Sequence, residues 1–246
     1  HKGGAHIDGV MKVARSFEHI DPALVGNARD FIVSNQSGSS LVWDKIRAIQ
    51  PDLDKRSPQV ASILSEVKQR EEDGWHFEIA DASFQILARR KLEMWKDRFE
   101  FLGFRSIEER RDNGEIYSEF TIKLKVGGEV EHTAAEGNGP VDAMNAAVWK
   151  ALARFFPQLK DIGLADYKVR VLDNNKGTGA KVRVWIRFHD HGRPEAEPWS
   201  TLGVSTNIIE ASWLALMDGI NYKLMLDEPP AQPAPQAVFA AERSGH

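Results

Sequence analysis

Two short stretches carry residue types that suit the capture of a small zwitterion: Glu136-Gly-Asn-Gly-Pro140 and Ser205-Thr-Asn-Ile-Ile-Glu210. Each reads as the opening of a helix. Gly139 stands at a cap position with Pro140 first in the helix, and Asn207 caps with Glu210 three residues on, the spacing of a capping box. The first amides of a helix have no partner inside it and lie at the positive end of its dipole, which suits a carboxylate. Gly137 and Gly139 let a ligand approach the main chain closely, and Asn138 and Ser205 complete the two openings. Asp166 would meet an ammonium group, while Tyr167, Val204 and Ile208 would line an apolar pocket for a branched side chain. Taken singly, each of these residues is better explained by a turn or a core position; the doubling of the motif favours binding.

Other suggestive residues carry less. His189-Asp-His191-Gly resembles a metal-binding tract, but it falls in a polar loop between strand patterns, and two or three clustered ligands lack the fixed geometry of a metal centre. No metal ligand is assigned. The run Lys68-Gln-Arg-Glu-Glu-Asp73 reads as a solvated helix face. The seven tryptophans read as core or interface anchors, with Trp213 on a buried helix face and Trp149 at a contact between copies.

The two stretches belong to a repeated unit. Gly139, Val141, Asp142 and Ala143 fall opposite Asn207, Ile209, Glu210 and Ala211, and Thr133 falls opposite Thr201. Val141, Met144, Val148, Leu152 and Phe155 recur at helical spacing, as do Ile209, Ser212, Trp213, Leu216, Ile220 and Leu224. Ahead of the first helix Phe120, Ile122, Leu124 and Val126 alternate with polar residues, turn at Gly127-Gly128 and resume through Val130, a hairpin. A further strand runs from Phe99 to Arg111, turning at Asp112-Asn113-Gly114. In the second copy Tyr167, Val169 and Val171 alternate, then Val182, Val184, Ile186 and Phe188. Each unit therefore reads strand, strand, strand, helix. The fold class expected is α+β: small, mostly helical linker subdomains followed by a C-terminal domain of two βββα repeats.

Composition bounds the remaining choices. The chain has 246 residues, 42% of them hydrophobic and 28% charged, enough for a sizeable core. A net charge of −4 gives no general pull toward nucleic acid or an anionic membrane. With no cysteine there is neither a disulfide framework nor a thiol nucleophile, which fits a cytoplasmic protein. No apolar run approaches the ~20 residues of a spanning helix, and the opening lacks the apolar segment of a signal peptide. It also lacks Met, marking the chain as a candidate fragment.

Along the chain, residues 1–47 form a first linker subdomain, with a brief helix at Pro22–Asn27. Residues 48–96 form a helical second one. Its stripes are Val60, Ile63, Leu64 and Val67 after Ser57-Pro58, then Ala82, Phe84, Leu87, Ala88 and Leu92; Leu41, Trp43, Ile46 and Ile49 mark a helix that Pro51 ends. Residues 97–226 hold the repeats, and the proline- and alanine-rich stretch 227–246 reads as a disordered tail.

Seven stretches in order, from His1-Lys-Gly-Gly-Ala-His-Ile-Asp-Gly9 through Phe17-Glu-His-Ile-Asp-Pro22, Val25-Gly-Asn27, Ala80-Asp-Ala-Ser-Phe84, Thr133-Ala-Ala-Glu-Gly-Asn-Gly-Pro140 and Asp166-Tyr-Lys-Val-Arg170 to Asn207-Ile-Ile-Glu-Ala-Ser-Trp213, carry a family resemblance. Together they resemble the C-terminal half of the citramalate synthase, 2-isopropylmalate synthase and homocitrate synthase family, with the citramalate branch favoured. Such enzymes condense acetyl-CoA with a 2-oxo acid on a divalent metal held by an N-terminal (β/α)8 barrel. Two linker subdomains follow, then a C-terminal domain that dimerises and binds the end-product amino acid. The resemblance implies a regulatory and dimerising part of a parent acyltransferase making (R)-citramalate from acetyl-CoA and pyruvate, on a route to isoleucine.

This chain would need no cofactor itself and would be inactive without the barrel, which together with the metal and acetyl-CoA belongs to the parent. Its partners would be a second copy and a branched-chain amino acid, isoleucine favoured. His6 matches the family histidine that reaches into a neighbouring barrel, a role that suits a near-neutral imidazole. Phe17 stands where relatives carry a catalytic tyrosine, and Ser39 where the family has arginine; Phe17 has no hydroxyl to donate, leaving Asn35 and Gln36 as substitutes. Two alternatives stay open: the equivalent part of a leucine-controlled 2-isopropylmalate synthase, or a dimerisation scaffold that binds no ligand.

Overall fold

The computed structural model of the chain describes residues 38–172 and 174–228. The helix expected at 22–27 and the tail from 229 onward lie outside the described residues.

Among the described residues three helices come first: α1 (Gly38–Ile49), α2 (Pro58–Glu72) and α3 (Asp81–Lys91), with a single 3-10 turn at Phe77–Ile79 before the last. Ser57 caps α2 by accepting the Val60 amide at 3.3 Å, and Pro58 fills the first position, where no donor is needed. Val42 and Ile46 of α1, Val60, Ile63 and Val67 of α2, Phe77, and Phe84, Leu87 and Ala88 of α3 make one small core. The α1 stripe centres on Val42 and Ile46, with Trp43 and Ile49 packed at its rim.

Next comes the duplicated unit. Its first copy is β1 (Glu100–Arg110), β2 (Ile116–Val126), β3 (Glu129–Gly137) and α4 (Pro140–Leu152). The second is β4 (Ile162–Val171), β5 (Val182–Asp190), β6 (Trp199–Ser205) and α5 (Ile208–Asp227). Each sheet has three antiparallel strands in sequence order. The β2–β3 turn places Gly127 at φ 58° and Gly128 at φ 94°, left-handed values that glycine adopts without strain and that match the twist of a hairpin.

Every second residue of the central strands faces a helix: Phe120, Ile122, Leu124 and Val126 on β2, and Val184, Ile186 and Phe188 on β5, all buried. Helix α4 lies on β3 and β2, α5 lies on β6 and β5, and the two helices touch, so both copies share one core. The likeness reaches single hydrogen bonds. Thr133 Oγ1 donates to the Ala147 carbonyl at 2.9 Å, and its counterpart Thr201 donates to the Ala215 carbonyl at 2.6 Å.

The second sheet is covered on both faces. Leu202 pairs with Trp185 on the face away from α5, yet it is wholly buried because α3 packs over β6. The Ser83 hydroxyl of α3 accepts the Leu202 amide at 3.0 Å and donates to the Asp218 carboxylate of α5 at 2.9 Å, so one side chain joins three elements. At the far end of α5, the buried Lys223 bridges Asp190 at 2.7 Å and Asp227 at 3.0 Å, and Arg193 closes the same cluster.

Candidate functional site

The opening of α4 is built by glycine. Gly139, at the cap, has no side chain to offer the first-turn amides. A Cβ on Gly137 would lie 2.4 Å from the Ala143 nitrogen, so only glycine lets β3 run this close beneath the helix. Asp142 Oδ2 accepts the Asn138 amide at 2.9 Å and shapes the turn between strand and helix. Its charge also lies at this opening, so an arriving carboxylate would share the space with it. Beside the opening Tyr117 donates to Glu136 Oε1 at 2.7 Å, and that bond is the main reason the phenol is pushed up to about 12.

The second opening is built differently. Asn207 Oδ1 accepts the Ile209 amide at 2.8 Å and the Glu210 amide at 3.4 Å, so the protein's own side chain fills the positive end of α5. Ser205 Oγ, not Glu210, accepts the Asn207 amide at 3.1 Å; the reciprocal bond of the expected capping box comes from the strand side. Ile208 is 44% exposed and available to a partner.

Tyr167 on β4 lies 2.7 Å from Ser212 Oγ on the first turns of α5. The single Ser212 proton goes to the Ile208 carbonyl at 2.6 Å, which makes Tyr167 the donor of the shared bond. Burial pushes the Tyr167 phenol up, with the Ser212 bond acting in the opposite sense. Asp166 is held low chiefly by its hydrogen bond with Lys168, whose ammonium is 2.5 Å away. An incoming ammonium group would compete with that lysine.

The structure thus gathers Gly137, Asn138 and Gly139 at the α4 opening, and Tyr167, Ser205, Asn207 and Ile208 around the α5 opening. Val204 sits apart: it pairs with Arg183 on the opposite face of the sheet from Tyr167, and its Cγ1 is 3.7 Å from where a Gly74 side chain would begin. Asp166 Oδ1 accepts the amide of its chain neighbour Tyr167 at 2.9 Å, while its carboxylate holds Lys168 rather than facing an opening amide. Asp142 and Ser212 complete the two turns and were not singled out for a site. The polar Ser212 within an apolar helical stripe is the signal that marks it. His6 and Phe17 lie outside the described residues. The His189 and His191 rings meet at 89° with Nε2 atoms 2.6 Å apart over Gly163. Among the described residues no group of three or more His, Asp or Glu side chains is arranged to hold a metal ion, and no helix is long and apolar enough to cross a membrane.

Comparison with known proteins agrees with the duplicated fold. The family model described as the LeuA allosteric (dimerisation) domain matches residues 78–224, and one described as homocitrate synthase post-HMGL domain-like matches residues 1–74. The chain is 46% identical to an (R)-citramalate synthase of Aquifex aeolicus, over 93% of this chain and 43% of that protein. It is 43% identical to the enzyme of Geobacter sulfurreducens, with the same two coverages of 93% and 43%. To that of Synechocystis it is 41% identical, over 92% of this chain and 41% of the relative. The matched part is the C-terminal half of such enzymes, and the chain spans less than half the length of these relatives.

Proposed function

This chain belongs to the family of the LeuA allosteric (dimerisation) domain, and from that premise we propose that it is the linker and regulatory part of a cytoplasmic citramalate synthase-like enzyme, pairing with a second copy and binding a branched-chain amino acid as feedback inhibitor. The parent joins acetyl-CoA to pyruvate on a barrel that holds a divalent metal; this part carries the inhibitory signal and needs no cofactor of its own. The reading rests on the α4 opening. Its cap is a glycine without a side chain, Gly137 brings the strand tight beneath it, and its amides lie at the positive end of a helix of 13 residues. An amino-acid carboxylate fits such amides.

A second reading, a pairing scaffold without a ligand, is favoured by Asn207 filling the α5 opening and Lys168 occupying Asp166. Calorimetric titration of the chain with isoleucine, leucine and pyruvate separates the readings. Saturable heat with isoleucine supports the citramalate branch, and a preference for leucine moves the assignment to the 2-isopropylmalate branch. No heat and no thermal shift with any amino acid leaves the scaffold.

A further inference from the structure

Among the described residues, the outer face of the second sheet is only half covered. Helix α3 closes over β6, and the stretch from Gly74 to Ile79 runs across the end of β5. Between that stretch and β4 lies a cleft of about 600 Å³, lined by His76, Ile79, Lys168, Arg170, Arg183 and Trp185.

Its charge is unbalanced. Arg170 and Arg183 are direct cross-strand partners, and like charges placed opposite each other destabilise a sheet. Arg183 Nε donates to the Gly74 carbonyl at 2.6 Å, which fixes the guanidinium and leaves its two terminal nitrogens without an acceptor among the described residues. Arg170 has no carboxylate partner among them either. The carboxylates nearby are engaged: Asp166 holds Lys168 and Glu78 holds His76 at 3.0 Å. The first copy of the unit provides an internal comparison. There the positions matching Arg170 and Arg183 are Ile107 and Glu119, which pair across β1 and β2, so the like-charged pair belongs to the second copy alone.

The wall beside the two arginines is apolar and fixed. Trp185 Nε1 donates to the Ile79 carbonyl at 2.8 Å, which orients the indole, and the Lys168 ammonium stands 4.7 Å from the ring centre. A fixed aromatic wall next to two guanidiniums that have no carboxylate partner among the described residues suits an anion attached to an apolar or planar body. A phosphate dianion balances both arginines, and guanidinium forks match its oxygens, whereas one carboxylate balances only one.

We propose that this cleft binds a phosphorylated small molecule, its phosphate seated between Arg170 and Arg183 and its body resting on Trp185 and Ile79. The site lies on the sheet face turned away from α5 and its opening, and stands independently of the amino-acid reading.

Titration of the whole chain with phenyl phosphate, followed by tryptophan fluorescence and calorimetry, tests it. Saturable binding is expected, weaker for inorganic phosphate, which lacks the ring. Arg170→Gln, an exposed substitution that leaves the fold intact, is expected to weaken phenyl phosphate by about tenfold or more, the scale of one charge-assisted hydrogen bond. Lys123→Gln, on the outer face of the first sheet, is expected to change nothing. Absence of saturable binding, an Arg170→Gln protein that binds as the parent does, or an equal loss in Lys123→Gln would overturn the site. Equal affinity for inorganic and phenyl phosphate would overturn the role of Trp185 and Ile79.

Discussion

Asp218 shows how a single residue ties a titration to the packing of two helices. Half-buried between α3 and α5, its carboxyl is pushed up to about 6, chiefly by burial, while the Ser83 hydrogen bond and the charges of Arg90 and Arg70 pull it down. In the unfolded chain it returns toward 3.8. Between those two values the folded form binds the proton more tightly. The stability it contributes is therefore full at low pH and is lost as pH rises from about 4 to about 6. Asp218→Asn keeps an acceptor for Ser83 and removes the charge. The variant is expected to be more stable than the parent at neutral pH by about 1–3 kcal/mol, at about 1.4 kcal/mol per pKa unit, and equal to it below about pH 4. Urea unfolding at the two pH values measures the difference. A carboxyl meeting Ser83 across two subdomains is invisible in the sequence, because the two residues belong to different periodic patterns. Asn207 was visible, since a cap announces itself by its place just before an apolar helix; Ser205 as its reciprocal partner was not, because the expected Glu210 competed for that role.

Among the elements, the hairpins and helices of the repeats were legible from alternation at two and recurrence at three and four. Strand β6 was legible only as an echo, through Thr201. Its Leu202 and Thr201 are buried on opposite faces, under α3 and α5, so the polar half of the alternation that betrays a one-sided strand is missing. The closeness of α5 to β6 has a sharp consequence at Gly203, where a Cβ would lie 2.0 Å from the Ala211 carbonyl oxygen. That carbonyl and the Ala215 nitrogen, 3.0 Å away, are both backbone and cannot turn aside. Gly203→Ala is expected to lower stability by about 1–3 kcal/mol or more, measured by the urea midpoint, because the helix must lift from the sheet. A midpoint within experimental error of the parent would mean that α5 slides more freely than this packing allows.

For the molecule as a whole, the duplication made the α+β class readable, and the description of the matching family points to pairing. The first strand of the second sheet carries Leu164, Val169 and Val171 at 45%, 42% and 49% exposure, on the face that α5 covers over β5 and β6. Apolar residues left bare on an edge strand are what a second copy would cover. Val169→Lys is expected to weaken self-association at least about tenfold in sedimentation experiments, and a parent chain that stays monomeric at roughly tens of micromolar would refute the pairing.

Helix α3 contributes Phe84, Leu87 and Ala88 to the small helical core and Ala82 to the large one. It is therefore a hinge pin rather than a tether. A fragment trimmed to begin after Lys91 would bare Leu202 to water and strip Asp218 of Ser83, so the smallest piece able to stand alone starts upstream of Asp81. The same arrangement gives any displacement of α5 a rigid route outward to whatever the helices adjoin.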